Sequence, residues 1–438
     1  MQRYRAPREG TPPGQVAAIP NKASRPLLLA TLVYFVVVLV RPQDLWPPLG
    51  AIRPGLIAFV LVGLTWTMTA DKSRIFADSI VRWRLFLFAV LLIGSAEVVN
   101  HRSWMYVVLD NLEYTIVYFL ALPVVLRDPA PARAVLRLFA MSFGFLAVWV
   151  IMHGGVGTAA WMTDENDAAA VLILGVCLGY ALFAESPQRR TRLIGVALAA
   201  TCVAGVLSTD SRGGFLGLAA AGLGMAIFSK KLWRYSVTAI VVLLITIPFV
   251  PSNYLREMKT INDPTDRTRT ERLYSWARAW DMFLDNPVVG VGAGNFPWRV
   301  YEYEQSPKAV AARNGRRVLA GRAAHSLPFT LLAETGVSGA VAFFAILGLS
   351  FNRVWSVSRS PRTPDDNLTA RILATWIGPS LIGFLTAAIF ISVLWYPPIW
   401  LLFGATVGLS KNELRRTGIG ATIDRDHTTQ NRRPRRPT

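Results

Sequence analysis

Apolar stretches such as "PLLLATLVYFVVVLV", "LIAFVLVGLTWTMTA" and "YSVTAIVVLLITIPFV" recur along the chain. Each approaches the ~20 residues needed to cross a hydrocarbon core ~30 Å thick. No other feature narrows the fold so far. Lipid offers a backbone N–H or C=O no water to bond, so a spanning segment must satisfy its own groups as a helix. A chain with many such blocks is therefore expected to be an all-α polytopic membrane protein. The composition agrees: 53% of residues are hydrophobic and 17% charged.

The periodicity predicts about twelve helices, at roughly 26–41, 53–70, 83–99, 106–126, 134–153, 167–185, 192–208, 213–229, 235–251, 324–350, 371–393 and 395–411. This divides the chain into a tail 1–25, helices within 26–251, a long loop 252–323, further helices within 324–411 and a basic tail 412–438. The first block lacks a small-residue cleavage site and reads as a retained span. The net charge of +19 is gathered in short clusters between apolar blocks, as in "ESPQRRTR" and "SKKLWR", and in the tail "NRRPRRPT". That distribution follows the positive-inside rule rather than a nucleic-acid surface, and it places both termini in the cytoplasm. Cys177 and Cys202 both sit inside apolar blocks and read as packing residues.

By parity the 252–323 loop falls on the outer side, where long translocated loops escape the charge rule. A loop of this length is expected to carry function or helices of its own. Within it "TERLYSWARAWDMFLDNP" reads as a helix, with Thr270 and Glu271 at its start and Asp285-Asn286-Pro287 at its stop. Arg272, Trp276, Ala279, Trp280 and Phe283 fall on one face of it, and an aromatic face suits a helix lying on the membrane surface.

Three basic residues then stand on the outer side: Arg212 in "STDSRGGFLGL", Arg272 in the loop helix, and His325 in "GRAAHSLPFTLLAETGVSGA". A planar guanidinium can hold two phosphate oxygens, so a pair of arginines makes a natural pyrophosphate clamp. An imidazole that titrates near neutrality can take a proton from a hydroxyl nucleophile. Arg267 and Arg269 compete with Arg272 for its role. Arg269, Arg322 and Asn166 are further candidates for substrate contact, whereas the Asp164, Glu165 and Asp167 run reads as a cap on the sixth span rather than a metal site. Asp110 and Glu113 are carboxylates inside a span, which marks a functional or paired site. The "GVGAGNF" stretch has no strand before it and Pro297 interrupts any helix after it, so it reads as a tight turn and not a dinucleotide loop. Glu334, nine residues past His325, reads as a packing residue between helices.

The motifs "STDSRGG", "RLYSW…DNPVVGVGAGNF" and "AHSLPFTLLAETGVSG" resemble the three signature regions of the bacterial O-antigen ligase and polymerase superfamily, in the same order and around the same long loop. The resemblance covers roughly residues 160–350. "RPQDLWPPLG" is similar to a ligase branch associated with exosortase systems. One departure falls on Ser326, where many relatives carry Asn. The resemblance implies a GT-C-like fold in the bacterial inner membrane and an active site facing the periplasm. It implies a glycan donor linked to undecaprenyl pyrophosphate, an acceptor hydroxyl, and chemistry without metal or other cofactor. Arg212 and Arg272 would bind pyrophosphate, and His325 would activate or orient the acceptor. The lipid A–core is the expected acceptor, which would make the chain a ligase. A polymerase, or an oligosaccharyltransferase acting on protein hydroxyls, keeps the same chemistry. Transport without covalent chemistry is a second class, and it calls for inverted repeats with broken helices that the sequence does not display; a membrane-anchored assembly factor is a third.

Overall fold

The computed structural model describes residues 25–69, 73–158, 160–228, 267–313, 318–360 and 368–409. The expected ninth span at 235–251, both tails and Arg267's side chain lie outside the described residues. Among the described residues every regular element is helical.

The helices are α1 (Arg25–Phe35, continued by a π-helical stretch Val36–Val40), α2 (Pro54–Thr67), α3 (Ser79–Ile93), α4 (His101–Tyr114, continued through Thr115–Ala121 and Leu122–Arg127), α5 (Pro129–Met152), α6 (Glu165–Glu185), α7 (Arg189–Ser208) and α8 (Arg212–Phe228). The long loop contributes α9 (Arg267–Asp285), α10 (Phe296–Tyr303) and α11 (Pro307–Arg313). Then follow α12 (Leu327–Arg359), α13 (Leu368–Ala388) and α14 (Pro397–Gly408). Seven of these segments are long and apolar enough to cross a membrane, and four shorter apolar helices, α1, α2, α8 and α14, fill the other expected positions that fall within the described residues.

Local sequence sets where the helices begin. Asp78 caps α3 by accepting from Ile80 N at 2.9 Å, and Asn100 caps α4 by accepting from Ser103 N at 3.0 Å. Each supplies an oxygen to a backbone donor that the first turn leaves unpaired. Small residues let the bundle close. A Cβ at Gly179 would stand 2.5 Å from Gly195 O, and one at Gly217 would stand 2.7 Å from Gly383 O, so α6–α7 and α8–α13 pack backbone to backbone.

Several of the polar groups buried in the bundle are paired. The Arg84 guanidinium is fully buried; it donates to Asn111 Oδ1 and O at 2.8 Å each and to Thr115 Oγ1 at 3.1 Å, and it lies 4.3 Å over the Trp400 ring. Of the two carboxylates on α4, Glu113 accepts from Tyr34 O–H at 2.5 Å. Cys177 and Cys202 are buried free thiols, in keeping with their packing role. At one end of the bundle Arg371 pairs with Glu185, and Arg353 pairs with Asp78 at 2.9 Å.

At the opposite end, called the lip below, four helices begin: α6, α8, α12 and α14. Ser211, just before α8, donates to Asn166 Oδ1 in the first turn of α6 at 2.7 Å. Ser326, just before α12, donates its N–H to Ser392 Oγ in the α13–α14 linker at 3.3 Å. Trp161, before α6, lies 6.2 Å from Tyr396, which precedes α14. The lip therefore collects four positive helix ends, an arrangement that favours an anion.

Candidate functional site

Beneath the lip, α12 is broken. Gly336 has φ 60° and ψ −161°, which interrupts the helix ladder in the middle of an apolar segment. The loop after α9 fills the gap: Val337 N donates to Pro287 O at 2.8 Å, Ser338 N to Val288 O at 3.2 Å, and Val291 N to Ala333 O at 2.8 Å. The two chains run so close that a Cβ on Gly290 would meet Glu334 C at 2.4 Å, and one on Gly336 would meet Val288 C at 2.5 Å. Both glycines also have positive φ, so each position demands glycine twice over. The tight turn expected for "GVGAGNF" is thus the partner of the kink in "AETGVSG".

Glu334 fastens this joint. Its buried carboxylate accepts from Gly294 N at 2.8 Å, Phe296 N at 3.0 Å and Trp395 Nε1 at 2.6 Å. A carboxylate presents only acceptors, which suits three converging donors. Packing alone, the expected role, understates this residue: Glu334 links α12, the loop and the α13–α14 linker through hydrogen bonds. Helical phase could not reveal this, because the kink lies two residues further on.

The loop helix α9 sits against this joint rather than lying free of it. It starts at Arg267, three residues before the expected Thr270, and ends at Asp285 as expected. Trp276 stacks on Phe329 of α12 with ring centroids 5.2 Å apart, and Ala279 is fully buried. Much of the aromatic face expected on a membrane surface is therefore turned inward. Leu273, Trp280 and Leu284 form the apolar face left exposed. Trp276 also lies 6.5 Å from Phe390, and a Cβ on Gly213 would stand 3.8 Å from the Phe390 Cβ. Phe390 thus bridges the segment holding Arg272 to the start of α8, where Arg212 is half-buried.

His325 occupies the turn into α12 with φ 52°, a left-handed backbone seldom adopted outside glycine. Strain of this kind persists where the surroundings fix the conformation, and it gathers at functional sites. Burial holds the His325 imidazole below its ordinary pKa, and the Arg272 and Arg322 cations push it the same way, while Asp164 and Glu271 oppose them. His325 therefore lies within electrostatic reach of residues from α6, α9 and its own loop. Arg322 does not share a helical face with His325, since α12 begins only at Leu327. Instead both its terminal nitrogens donate to Glu271 Oε2 at 3.2 Å, tying the loop to α9 beside Arg272. Arg269 is exposed near the start of α9.

Asn166 is an organising residue. Its N–H and its side-chain Nδ2 both donate to Asp164 Oδ1 at 2.8 Å, and its own Oδ1 accepts from Ser211. Asp164 thereby caps α6, as expected. Ser211 in turn accepts from Gly214 N at 2.9 Å, which caps α8 directly beneath Arg212. No local pattern singles out Tyr396, Trp161 or Ser392, because they come from turns distant in the chain. Burial, with Asp167 and Asp164 nearby, pushes the Tyr396 hydroxyl up to about 12.

The apolar helices of membrane-crossing length make this an all-α polytopic membrane protein, with Arg212, Arg272 and His325 as a candidate site at one end. Residues 196–344 match the family model described as O-Antigen ligase, which supports the O-antigen ligase superfamily for this chain. The matched segment runs from inside α7 to the first half of α12 and so contains Arg212, Arg269, Arg272, Arg322, His325 and Glu334. Trp161, Asp164, Asn166 and Tyr396 fall outside it. No curated protein matches the chain.

Proposed function

We propose that the chain transfers a glycan from undecaprenyl pyrophosphate to an acceptor hydroxyl at the periplasmic face of the bacterial inner membrane, as an O-antigen ligase with the lipid A–core as acceptor. The family match supports ligase or polymerase chemistry in general. The finer reading is carried by one observation: a strained, partly buried His325 lies within the field of Arg272 and Arg322, at a lip where four helix N-termini gather.

In this reading Arg272 and Arg212 hold the pyrophosphate, and Arg322 and Arg269 add positive potential. The acceptor oxygen attacks the anomeric carbon as the bond from that carbon to the pyrophosphate oxygen breaks. The bonding electron pair leaves with the lipid pyrophosphate, whose growing charge the guanidiniums and helix ends stabilise. The acceptor proton passes to the His325 imidazole, which burial, and after it the Arg272 and Arg322 cations, favour in the neutral form. Purified protein in proteoliposomes, given lipid-linked glycan and separately lipid A–core, a second lipid-linked glycan or a serine–threonine peptide, tests this. Glycan on lipid A–core is expected. Elongation on the lipid carrier alone would make the chain a polymerase, and no transfer to any acceptor would refute the reading.

A further inference from the structure

Arg272 and Arg322 come from α9 and the loop before α12, and Arg212 from the start of α8 next to the Ser211–Asn166–Asp164 chain, while the turns into α6 and α14 bring carboxylates and aromatic rings to the same lip. Trp161 and Tyr396 are both half-buried, with ring centroids 6.2 Å apart and planes inclined at 53°. Asp164 is exposed; its Oδ1 is taken by Asn166, and among the described residues its Oδ2 accepts no hydrogen bond. Asp167 is half-buried one residue beyond Asn166. The Tyr396 hydroxyl lies within the field of both carboxylates, and Asp164 also acts on His325.

We propose that Trp161, Tyr396, Asp164 and Asp167 form a sugar-ring subsite beside His325, which selects a glycan hydroxyl, rather than a serine or threonine hydroxyl, as the acceptor. A pyranose has an apolar face of C–H groups and a rim of hydroxyl donors. Trp and Tyr supply apolar ring surface with a polar tip, and the Asp side chains supply carboxyl oxygens that accept from hydroxyls. A serine or threonine side chain has neither the face nor the rim.

A second observation points to a polar ligand here. Ser326 follows His325 and is 1% exposed, yet its Oγ has no hydrogen-bond partner among the described residues. Thr158, close in sequence to Trp161, is 9% exposed and its Oγ1 is likewise unpaired. Buried hydroxyls are normally paired, so Ser326 Oγ in the turn into α12 and Thr158 Oγ1 in the turn into α6 each leave a hydrogen bond open for a ligand at the lip. The subsite residues lie outside the family-matched segment 196–344. Acceptor choice is thus set by parts of the chain distinct from those that carry the shared motifs.

This inference rests on the transferase reading, and its test separates the two. The full chain in lipid nanodiscs is probed by saturation-transfer NMR with free glucose, galactose, N-acetylglucosamine and a serine–threonine peptide. Saturation is expected on ring protons of at least one sugar and not on the peptide. It should fall severalfold in Trp161→Ala and Tyr396→Leu, return in Trp161→Phe, and persist in Arg272→Ala. In the transfer assay the same two variants should raise the acceptor KM about tenfold, equivalent to about 1.4 kcal/mol, with the donor KM unchanged. No ring signal from any sugar, a signal indifferent to Trp161→Ala, or binding of the peptide instead would overturn the subsite. Sugar binding without any glycan transfer would retain the subsite and reject the transferase.

Discussion

Glu334→Gln should loosen the lip from below. In the wild type two backbone N–H groups and the Trp395 indole converge on one carboxylate at 2.6–3.0 Å. Glutamine keeps the shape but has only one acceptor oxygen, and its NH2 would face a donor. Oε2 takes Gly294 and Trp395 while Oε1 takes Phe296, so either amide orientation strands at least one buried donor. A stranded donor costs about 1–3 kcal/mol, and a hydrogen bond to a charged group contributes about 1.5–3 kcal/mol. The expected loss is therefore about 2–4 kcal/mol. Trp395→Phe removes one donor and leaves the other two satisfied, so it should cost less. Because both changes act on one network, the double variant should lose clearly less than the sum of the singles. The assay is thermal unfolding of purified protein in detergent, with the four members of the cycle compared side by side. A Glu334→Gln protein as stable as wild type, or strictly additive losses, would refute the joint.

The remaining predictions concern the lip directly. His325 is held below its ordinary pKa, so the neutral base persists to lower pH and the acid limb of kcat/KM should lie below about 6.5. Arg322→Gln removes a cation and should move that limb to higher pH, while Asp164→Asn removes an anion and should move it lower; shifts in the opposite senses would contradict the electrostatics. Gly290→Ala and Gly336→Ala each force a Cβ into backbone at 2.4–2.5 Å with positive φ, and should abolish stable expression or lower thermal stability severely. Near-normal stability in either would mean the kink is not locked as described. Arg272→Lys and Arg212→Lys keep charge but lose the planar fork, and should cut transfer by an order of magnitude or more while insertion and folding stay intact, as read by size-exclusion profile.

The bundle was largely legible in the sequence, because apolar blocks long enough to cross lipid leave the backbone a single option. Eleven expected positions carry apolar helices. The start of α9 was misplaced by three residues, since Arg267 to Arg269 lack any pattern that separates a solvated first turn from a loop. The inward face of α9 was missed for a different reason. Trp276 and Ala279 have the same spacing whether they meet lipid or α12, and only tertiary packing decides. The candidate residues on signature motifs were visible because they sit beside glycines and helix starts. Glu334 was visible as a residue but not as a hinge, because its three donors arrive from positions 38 to 61 residues away. Trp161 and Tyr396 meet across an even longer stretch of chain, which no local periodicity can encode.

A single-particle reconstruction of the full chain with undecaprenyl pyrophosphate in nanodiscs tests the central claim most directly. Phosphate density held by the Arg272 and Arg212 guanidiniums, with the His325 imidazole facing the position of the sugar carbon, is the predicted result. Pyrophosphate seated away from this lip, or Arg212 and His325 too far apart to touch one ligand, would contradict the account.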